Sequence, residues 1–344
     1  MAFGVFSKHH VPRVGWRCGD HVLDLAAAGL LPAPTLEDFF TDGRREWDGA
    51  VERIVAAVDA GAEPRYPLDS VNLHLPFAVA DFVDFYASLE HATNMGRLFR
   101  PDGEPLLRNW RSLPVGYHGR AGTVVLSGTE IRRPHGQYLQ DGSPVFGATR
   151  KLDVEVELGF VVGRGSQPGE QVPLSDFRDH VFGVVLVNDW SARDIQGWEY
   201  QPLGPFLGKS FATSISAWVT PLALLEEHRV AAPPQEPEPL PYLRGGRDWA
   251  LDVELSLEVN SDVLARPNPR TLYWTGPQLL AHLTSNGAAL RPGDLFATGT
   301  ISAPEPGSLI ELGRPPLSDG DEVVVRGRAG GIEFGEVRGR VAPA

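Results

Sequence analysis

The chain has 344 residues, the length of about two average domains, with 42% hydrophobic and 22% charged residues, which excludes a disordered, collagen-like or coiled-coil protein. Its 31 basic and 44 acidic residues give a formal net charge of −13, the wrong sign for a protein that binds nucleic acid along its surface. Cys18 is the single cysteine, so an intramolecular disulfide is excluded and a reducing cytoplasm is expected.

The sequence contains no apolar segment near the roughly 20 residues that cross a bilayer. Its first ten residues reach Lys8 and two histidines before the apolar core of a signal peptide could form. We therefore expect a soluble, cytoplasmic protein that does not associate with membranes.

The N-terminal part is predicted to be a small module. Short apolar segments are followed by a helix over residues 47–60, which Gly61 ends. Residues 63–67 contain two prolines and no clear periodicity, so a domain boundary is expected between about 61 and 78. The predicted domains are residues 1–70 and 71–344.

The second domain is predicted to be mainly β. Short segments separated by Gly, Pro and Asp predict strands at 123–126, 152–162, 181–187, 251–259, 309–312, 322–326 and 332–337. Helical patterns lie around 81–98, 191–200 and 276–284. A β-rich sandwich, roll or barrel with added helices is the expected fold class. The Pro-rich residues 232–241 are predicted to form an extended surface loop within this domain.

The helix predicted at 81–98 would place Asp84 and His91 on one stripe, seven residues apart. This arrangement fits a general base beside a metal ligand. A single helical histidine is, however, more often a packing or surface residue.

Residues 152–158 alternate strictly between apolar and acidic side chains. At about 3.4 Å per residue, Glu155 and Glu157 would stand roughly 7 Å apart on one face, where both carboxylates can reach one cation. Residues 251–255 repeat the pattern, and a solvated strand face produces it without any metal. The pattern alone leaves both interpretations open.

The apolar run 181–187 predicts a buried strand with Asp189 just beyond its end. If Ser191 caps a short helix, then Arg193, Gln196 and Tyr200 share one face and point a cation, an amide and a phenol in one direction. An ordinary amphipathic helix is the alternative.

Residues 204–210 resemble a phosphate-binding loop, but only three residues separate the glycines where four are required, and a strand-like segment follows. Nucleotide binding is therefore not predicted. Lys209 is interpreted as a cation on a constrained turn, either structural or directed at a developing negative charge.

Several collinear blocks carry a resemblance to a known family. They include His-Ala-Thr-Asn at 91–94, Pro-Val-Gly-Tyr-His-Gly-Arg at 114–120 and Asn-Asp-Trp-Ser-Ala-Arg-Asp at 188–194, with further blocks at 84–86, 202–211 and 291–295. From about residue 80 to 341 the chain resembles the fumarylacetoacetase (fumarylacetoacetate hydrolase) family of tyrosine and phenylalanine catabolism.

The resemblance implies a small SH3-like N-terminal barrel, followed by a β-rich catalytic domain of the mixed β-sandwich roll type, in a homodimer. It implies four metal ligands, namely Asp84, Glu155, Glu157 and Asp189. Lys209 and Thr213 are implied to support the metal shell. Four carboxylates without nitrogen or sulfur favour a hard cation, either Mg²⁺ or Ca²⁺.

The same resemblance implies that His91, held by Glu311, removes a proton from water, which then attacks a substrate carbonyl. Arg193, Gln196 and Lys209 would stabilise the resulting oxyanion, and the metal would chelate the β-diketone oxygens and stabilise the departing enolate. The implied substrate-contacting residues are Tyr86, Arg100, Tyr117, Arg193, Gln196, Tyr200 and Thr300. Cations and phenols in this set suit a dicarboxylate β-diketone.

The expected reaction is metal-dependent hydrolysis of the carbon–carbon bond of 4-fumarylacetoacetate to fumarate and acetoacetate. The alternatives are a related β-diketone (acylpyruvate) hydrolase or an oxaloacetate-type decarboxylase of the same superfamily, and a catalytically silent binding protein. His91 counts against decarboxylation, because that reaction needs no base to activate water. The chain departs from the family in a shorter N-terminal module and a shorter segment between Glu311 and Asp319.

Overall fold

Strands dominate the secondary structure of the computed structural model, which describes residues 1–8 and 10–344. The strands in this part of the chain are β1 (Phe3–Lys8), β2 (Val11–Cys18), β3 (His21–Asp24), β4 (Arg65–Pro67), β5 (Asn72–His74), β6 (Phe82–Phe85), β7 (Gly116–His118), β8 (Val124–Leu126), β9 (Ile131–Arg132), β10 (His135–Gln140), β11 (Ser143–Ala148), β12 (Leu152–Asp153), β13 (Val156–Val162), β14 (Val181–Asp189), β15 (Ser191–Ala192), β16 (Thr213–Ile215), β17 (Trp218–Pro221), β18 (Arg229–Val230), β19 (Ala250–Leu251), β20 (Glu254–Val259), β21 (Asp262–Ala265), β22 (Leu295–Ala297), β23 (Glu322–Ala329) and β24 (Ile332–Ala342).

Helices are fewer and shorter. The α-helices are α1 (Leu36–Phe40), α2 (Arg44–Asp59), α3 (Leu89–Phe99), α4 (Phe177–His180), α5 (Arg193–Glu199) and α6 (Gly276–Leu283). Short 3₁₀ helices lie at Leu68–Ser70, Ala121–Thr123, Leu174–Asp176, Leu222–His228, Pro241–Leu243, Arg247–Trp249 and Pro269–Thr271. The prediction of a mainly β protein is confirmed.

Two sheets form the body of the molecule. The larger has the strand order β4-β3-β2-β1-β17-β14-β13-β22-β6-β7, with β5 beside β1, β16 beside β14 and β8 beside β16. The second has the order β21-β20-β23-β24-β9. Leu186 on β14 shares one buried core with Leu255, Val325 and Phe334 of the second sheet. The two sheets therefore pack against each other as in a sandwich.

The central strands β13 and β14 are buried along their whole length, which explains their nearly continuous apolar sequence. β14 extends two residues beyond its predicted end, so Asp189 lies within the strand, opposite Thr213 of β16. β22 pairs with both β13 and β6 and sets Ala297 opposite Asp84. These pairings bring the acidic residues of β6, β13 and β14 into one region of the sheet.

The N-terminal strands extend the larger sheet. One edge of β1 pairs with β2, and the other is divided between β17, with Phe3 opposite Val219, and β5. Because β17 takes part of that edge, the first strands stay in an open sheet. Among the described residues no closed barrel is present, so the SH3-like barrel is not confirmed. The boundary between residues 70 and 71 stays a prediction.

The helix predicted at 81–98 is wrong in its first half. Residues 82–85 form β6, because their backbone pairs with β22 on one side and β7 on the other, and their side chains are buried. The helix α3 begins at Leu89, and the Ser88 hydroxyl caps it by accepting a hydrogen bond from the His91 amide at 3.2 Å. Asp84 and His91 therefore do not share a helix face.

Two smaller predictions also fail. Ser191 lies on β15 and donates its hydroxyl to the Asp189 carbonyl, so it does not cap α5. Residues 309–312 form a turn instead of a strand. The helix α2 ends at Asp59, before Gly61 with its φ of +81°, close to its prediction.

Residues 232–240 have no regular secondary structure, as predicted for the Pro-rich loop. Gln235 fixes this loop by donating to the Tyr273 carbonyl at 2.6 Å. Within residues 1–8 and 10–344, helices with the length and apolar character of a membrane span are absent.

Candidate active site

A cavity of about 380 Å³ lies beside β6, α3 and α5, within the size range of small-molecule sites. Its polar lining consists of Asp84, Tyr86, His91, Arg100, Tyr117, Glu155, Arg193, Gln196, Tyr200, Lys209 and Thr300. All of these are predicted site residues. The sequence analysis did not identify the apolar part of the wall, which includes Phe99, Leu106 and Trp110, because such residues resemble ordinary core positions.

Three buried carboxylates from three strands meet beside this cavity. Oxygen atoms of Asp84, Glu157 and Asp189 lie within 4.8 Å of one another. Burial raises the pKa of Asp84 to about 6 and holds the pKa of Glu157 well above its usual value. Burial also acts to raise the pKa of Asp189, but Arg120 and Lys209 outweigh it and lower that pKa. The three acids therefore differ in how well their charges are balanced.

Glu157 tests whether this acidic cluster fits a metal ion. Both carboxylate oxygens of Glu157 are buried, and neither has a hydrogen-bond partner in the described part of the chain. A buried carboxylate without partners is costly, and a cation would supply the missing interaction. Because all the donors are carboxylate oxygens, the cluster fits a hard divalent cation.

Glu155, the fourth predicted ligand, is held by cations. Its carboxylate pairs with Lys209 and, at 2.7 Å, with Arg193; these cations lower its pKa against the effect of burial. The Lys209 ammonium also donates to Asp189 Oδ2 at 2.7 Å. Glu155 is thus joined to the acidic cluster through Lys209.

The uninterrupted strand predicted at 152–162 is wrong. The strand breaks between β12 and β13. At the break, the Asp153 carboxylate accepts a hydrogen bond from the Val154 amide at 2.8 Å and forms an ion pair with Arg193 at 2.7 Å. The solvated-face interpretation is wrong as well, because Asp153, Glu155 and Glu157 are all buried.

His91 has a defined orientation. Its Nδ1 lies 2.7 Å from Glu311 Oε2, and its Nε2 lies 3.8 Å from Glu155 Oε1. Burial acts to raise the pKa of Glu311, but His91, Ser308 and Asn94 outweigh it and lower that pKa to about 2. Glu311 is therefore ionised near neutral pH and accepts the Nδ1 proton, which leaves the lone pair on Nε2.

Three residues that the sequence analysis did not identify hold Glu311. Ser302 and Ser308 donate to Oε2 at 2.8 and 2.6 Å, and Asn94 donates to Oε1 at 3.0 Å. The sequence feature that could have identified Asn94 was its position three residues after His91 in the 91–94 block, and therefore on the same side of α3. Glu311 keeps its contact with His91 despite the shorter segment that follows it.

The helix α5 presents the predicted polar face to the cavity. Arg193 Nη1 donates to Gln196 Oε1 at 3.1 Å, while Arg193 Nη2 is buried and finds no partner among the residues described. The loop that carries Lys209 packs closely on this helix, since a Cβ on Gly208 would lie 2.8 Å from the Gln196 amide nitrogen. Glycine is therefore required at position 208.

The other predicted substrate-contacting residues surround the same cavity. Arg100 Nε and Thr300 Oγ1 are buried, and the described chain offers neither a hydrogen-bond partner. The rings of Tyr86 and His91 meet edge to face, with centroids 5.3 Å apart. Burial raises the pKa of Tyr86 and of Tyr117, so both phenols keep their protons and can donate hydrogen bonds.

Arg120 is the main site residue that the sequence analysis missed. Its guanidinium pairs with both Asp189 oxygens, with Asp84 Oδ2 at 2.7 Å and with Thr213 Oγ1 at 2.9 Å. Thr213 in turn donates to Asp189 Oδ1 at 2.7 Å. Arg120 is the last residue of the 114–120 block, and membership of that block was the sequence feature that could have identified it. Its buried guanidinium lies within the acidic cluster.

The chain is similar to known proteins over its whole length. The sequence profile described as Fumarylacetoacetate (FAA) hydrolase C-terminal matches residues 81–342. Fumarylacetoacetase of Rattus norvegicus and that of Homo sapiens are each 42% identical to the chain, over 100% of it and 95% of the relative. A maleylpyruvate hydrolase from Sphingobium sp. SYK-6, solved with manganese(II) and pyruvate, is 20% identical with a TM-score of 0.59, over 100% of both chains. That structure supports the fold alone.

Proposed function

The chain belongs to the fumarylacetoacetate hydrolase family, and from this membership we infer that it hydrolyses the carbon–carbon bond of 4-fumarylacetoacetate to fumarate and acetoacetate. One observation in the site carries the inference. His91, which is paired with Glu311, and Asp84, a member of the acidic cluster, line the same cavity. The pair provides a base for water, and the cluster provides a hard-cation site of the kind that binds β-diketone oxygens.

We propose that His91 is the general base. Because Nδ1 donates to Glu311, Nε2 can take a proton from water, and the hydroxide then attacks the carbonyl carbon of the fumaryl group, next to the carbon–carbon double bond. Glu311 keeps the ring in this orientation and stabilises the imidazolium that forms.

Three donors are proposed to stabilise the oxyanion that this attack creates. Arg193 Nη2 is free of other contacts within the described residues. The Gln196 carbonyl accepts from Arg193, so its amide group is left to donate. Lys209 uses two of its three N–H bonds on Glu155 and Asp189, which leaves one. A single donor of this kind typically contributes about 10² to 10³ in rate.

Collapse of the adduct breaks the carbon–carbon bond. The attacked carbon becomes the new carboxyl group of fumarate, and the electron pair leaves with the acetoacetate fragment, which then takes up a proton. We propose that Asp84, Glu155, Glu157 and Asp189 hold Mg²⁺ or Ca²⁺, with Lys209 and Thr213 as support. Such a cation, when bound, favours the negative charge that develops on the leaving fragment.

The proposed substrate contacts come from the remaining polar lining of the cavity. Arg100 suits a substrate carboxylate, because guanidinium and carboxylate form charge-assisted hydrogen bonds. The protonated phenols of Tyr86, Tyr117 and Tyr200, together with Thr300, offer further donors to the second carboxylate and the keto oxygens.

The reaction is tested by following the loss of ultraviolet absorbance of 4-fumarylacetoacetate with purified protein and Mg²⁺. We expect its kcat/KM to exceed those for an acylpyruvate and for oxaloacetate by at least about tenfold, since the cavity provides a base for water as well as a cation site. A higher kcat/KM for oxaloacetate would instead favour the decarboxylase alternative.

We also propose that the protein works as a homodimer. Phe146, Leu203 and Phe206 are 74%, 94% and 67% exposed. The Phe206 amide donates to Glu199 of α5, and Phe146 lies on β11, whose partner strand β10 packs against α5. Exposed apolar side chains of this kind are typical of protein interfaces. Sedimentation velocity at micromolar concentration is expected to give about twice the 37.4 kDa chain mass. A single species of chain mass would contradict the proposal.

A further inference from the structure

The guanidinium of Arg120 lies between carboxylates that would bind the divalent cation. Its Nη2 donates to Asp84 Oδ2 at 2.7 Å and to Asp189 Oδ2 at 2.9 Å. Both acids belong to the group whose oxygens lie within 4.8 Å of one another. A positive group of the chain itself therefore neutralises two of the three carboxylates.

Donors surround both oxygens of the Asp189 carboxylate. A carboxylate has about four lone-pair sites. At Asp189, Oδ1 accepts from Arg120 Nη1 and, at 2.7 Å, from Thr213. Oδ2 accepts from Arg120 Nη2 at 2.9 Å and from Lys209 at 2.7 Å. A cation that binds Asp189 therefore competes with these donors.

Arg120 is the donor best placed to withdraw. Lys209 links Asp189 to Glu155, outside the group of three, and the Thr213 hydroxyl is neutral. Arg120 combines a positive charge with hydrogen bonds to both Asp84 and Asp189, two members of the group of three, so an incoming cation would be repelled there. Arg120 does not bind Glu157, whose carboxylate has no hydrogen-bond partner in the described part of the chain. A cation that contacts all three carboxylates would therefore gain an interaction with Glu157 that Arg120 does not make.

Arg120 lies in a surface turn. Arg120 has a φ of +63° and follows Gly119 with a φ of +137°, in a turn whose residues 118 and 119 are exposed. The left-handed region is uncommon for a residue with a side chain. The ring centroid of Tyr117 lies 5.3 Å from the guanidinium, so a shifted side chain can keep a cation–π contact.

We propose that Arg120 competes with the divalent cation for Asp84 and Asp189, so that this residue lowers the metal affinity of the site. The inference rests on the metal centre of the proposed function. It adds a competing group to that centre and assigns no further ligand.

The test uses Mn²⁺ as the probe, with free Mn²⁺ measured by its EPR signal and melting temperature measured with and without the ion. We expect Arg120→Gln to bind Mn²⁺ at least about tenfold more tightly than wild type, because a like charge is removed from beside the cation. The metal-free variant should melt at a lower temperature, and Mn²⁺ should raise its melting temperature more than it does for wild type.

Arg178→Gln is the matched control. Arg178 is also buried and pairs with two acids, Asp48 at 2.9 Å and Glu226 at 2.8 Å, but it lies outside the cavity. This variant should melt at a lower temperature with an unchanged Kd for Mn²⁺. Arg120→Lys keeps the charge and loses the planar fork, and we expect an intermediate Kd. It decides the question if Arg120→Gln does not fold.

Two outcomes would contradict these expectations. Weaker or unchanged Mn²⁺ binding by a folded Arg120 variant overturns the inference and leaves the metal centre in place. No Mn²⁺ binding by wild type overturns the metal centre itself, and the competition with it.

Discussion

Replacing His91 with alanine is expected to lower kcat for 4-fumarylacetoacetate by about 10³-fold, because a positioned general base typically contributes 10² to 10⁴. The expectation follows from the contact of Nδ1 with Glu311 Oε2 at 2.7 Å, which leaves Nε2 to take the proton from water. Metal binding should be nearly unchanged, because His91 is outside the cluster of three carboxylates. The measurements are the ultraviolet assay at saturating substrate and a Mn²⁺ titration.

His282→Ala is the control for this variant. His282 donates to or accepts from the Tyr242 hydroxyl at 3.0 Å, away from the cavity, and its loss should leave kcat unchanged. If His91→Ala kept more than a tenth of wild-type kcat, His91 would not be the base. Equal turnover of oxaloacetate by wild type and His91→Ala would favour the decarboxylase.

Glu311→Gln tests whether Glu311 sets the tautomer of His91. The amide can donate to His91 Nδ1, which would place the ring proton on Nε2 and leave no lone pair for water. We expect a loss of rate close to that of His91→Ala. Because the pKa of Glu311 is about 2, this carboxylate stays ionised at pH 5, so any fall in wild-type rate between pH 7 and pH 5 does not arise from its protonation.

The sequence predicted the fold class well where the apolar pattern was long. The run at 181–187 could only be a buried segment, and it forms β14. The error at residues 82–85 has a simple cause, since four apolar-rich residues before a helix do not establish a period. Only the pairing of β6 with β22 and β7 decides between strand and helix there.

The acidic cluster was harder to predict from the sequence than the fold class. Asp84, Glu157 and Asp189 are brought together by sheet order, because β22 lies between β13 and β6, and no local pattern encodes that order. Their ligand roles came from the family resemblance. Arg120 and Asn94 were missed because their partners, Asp189 and Glu311, are distant in sequence, so neither residue shows its role locally.

Replacing Glu157 with glutamine is expected to change function and stability in opposite directions. The carboxylate is 0% exposed and has no hydrogen-bond partner among residues 1–8 and 10–344, so its charge is unfavourable without a cation. The glutamine in Glu157→Gln cannot carry this charge and has nearly the same shape. Metal-free Glu157→Gln should therefore melt at the same or a higher temperature than metal-free wild type.

Cation binding and hydrolysis should show the opposite change in Glu157→Gln. We expect Mn²⁺ affinity to fall at least about 100-fold, because one carboxylate ligand is lost, and kcat to fall to the level of EDTA-treated wild type. Returning Mg²⁺ should restore wild type and leave the variant inactive.

Glu155→Gln is the matched comparison, since it removes a carboxylate that is already paired. Lys209 and Arg193 would lose a shared partner, and breaking a buried ion pair typically costs about 3 to 5 kcal/mol. Glu155→Gln should therefore melt below wild type without metal, whereas Glu157→Gln should not. If Glu157→Gln instead destabilised the metal-free protein and kept its Mn²⁺ affinity, the unpartnered carboxylate would be a structural element, and the cation would have to bind elsewhere in the site.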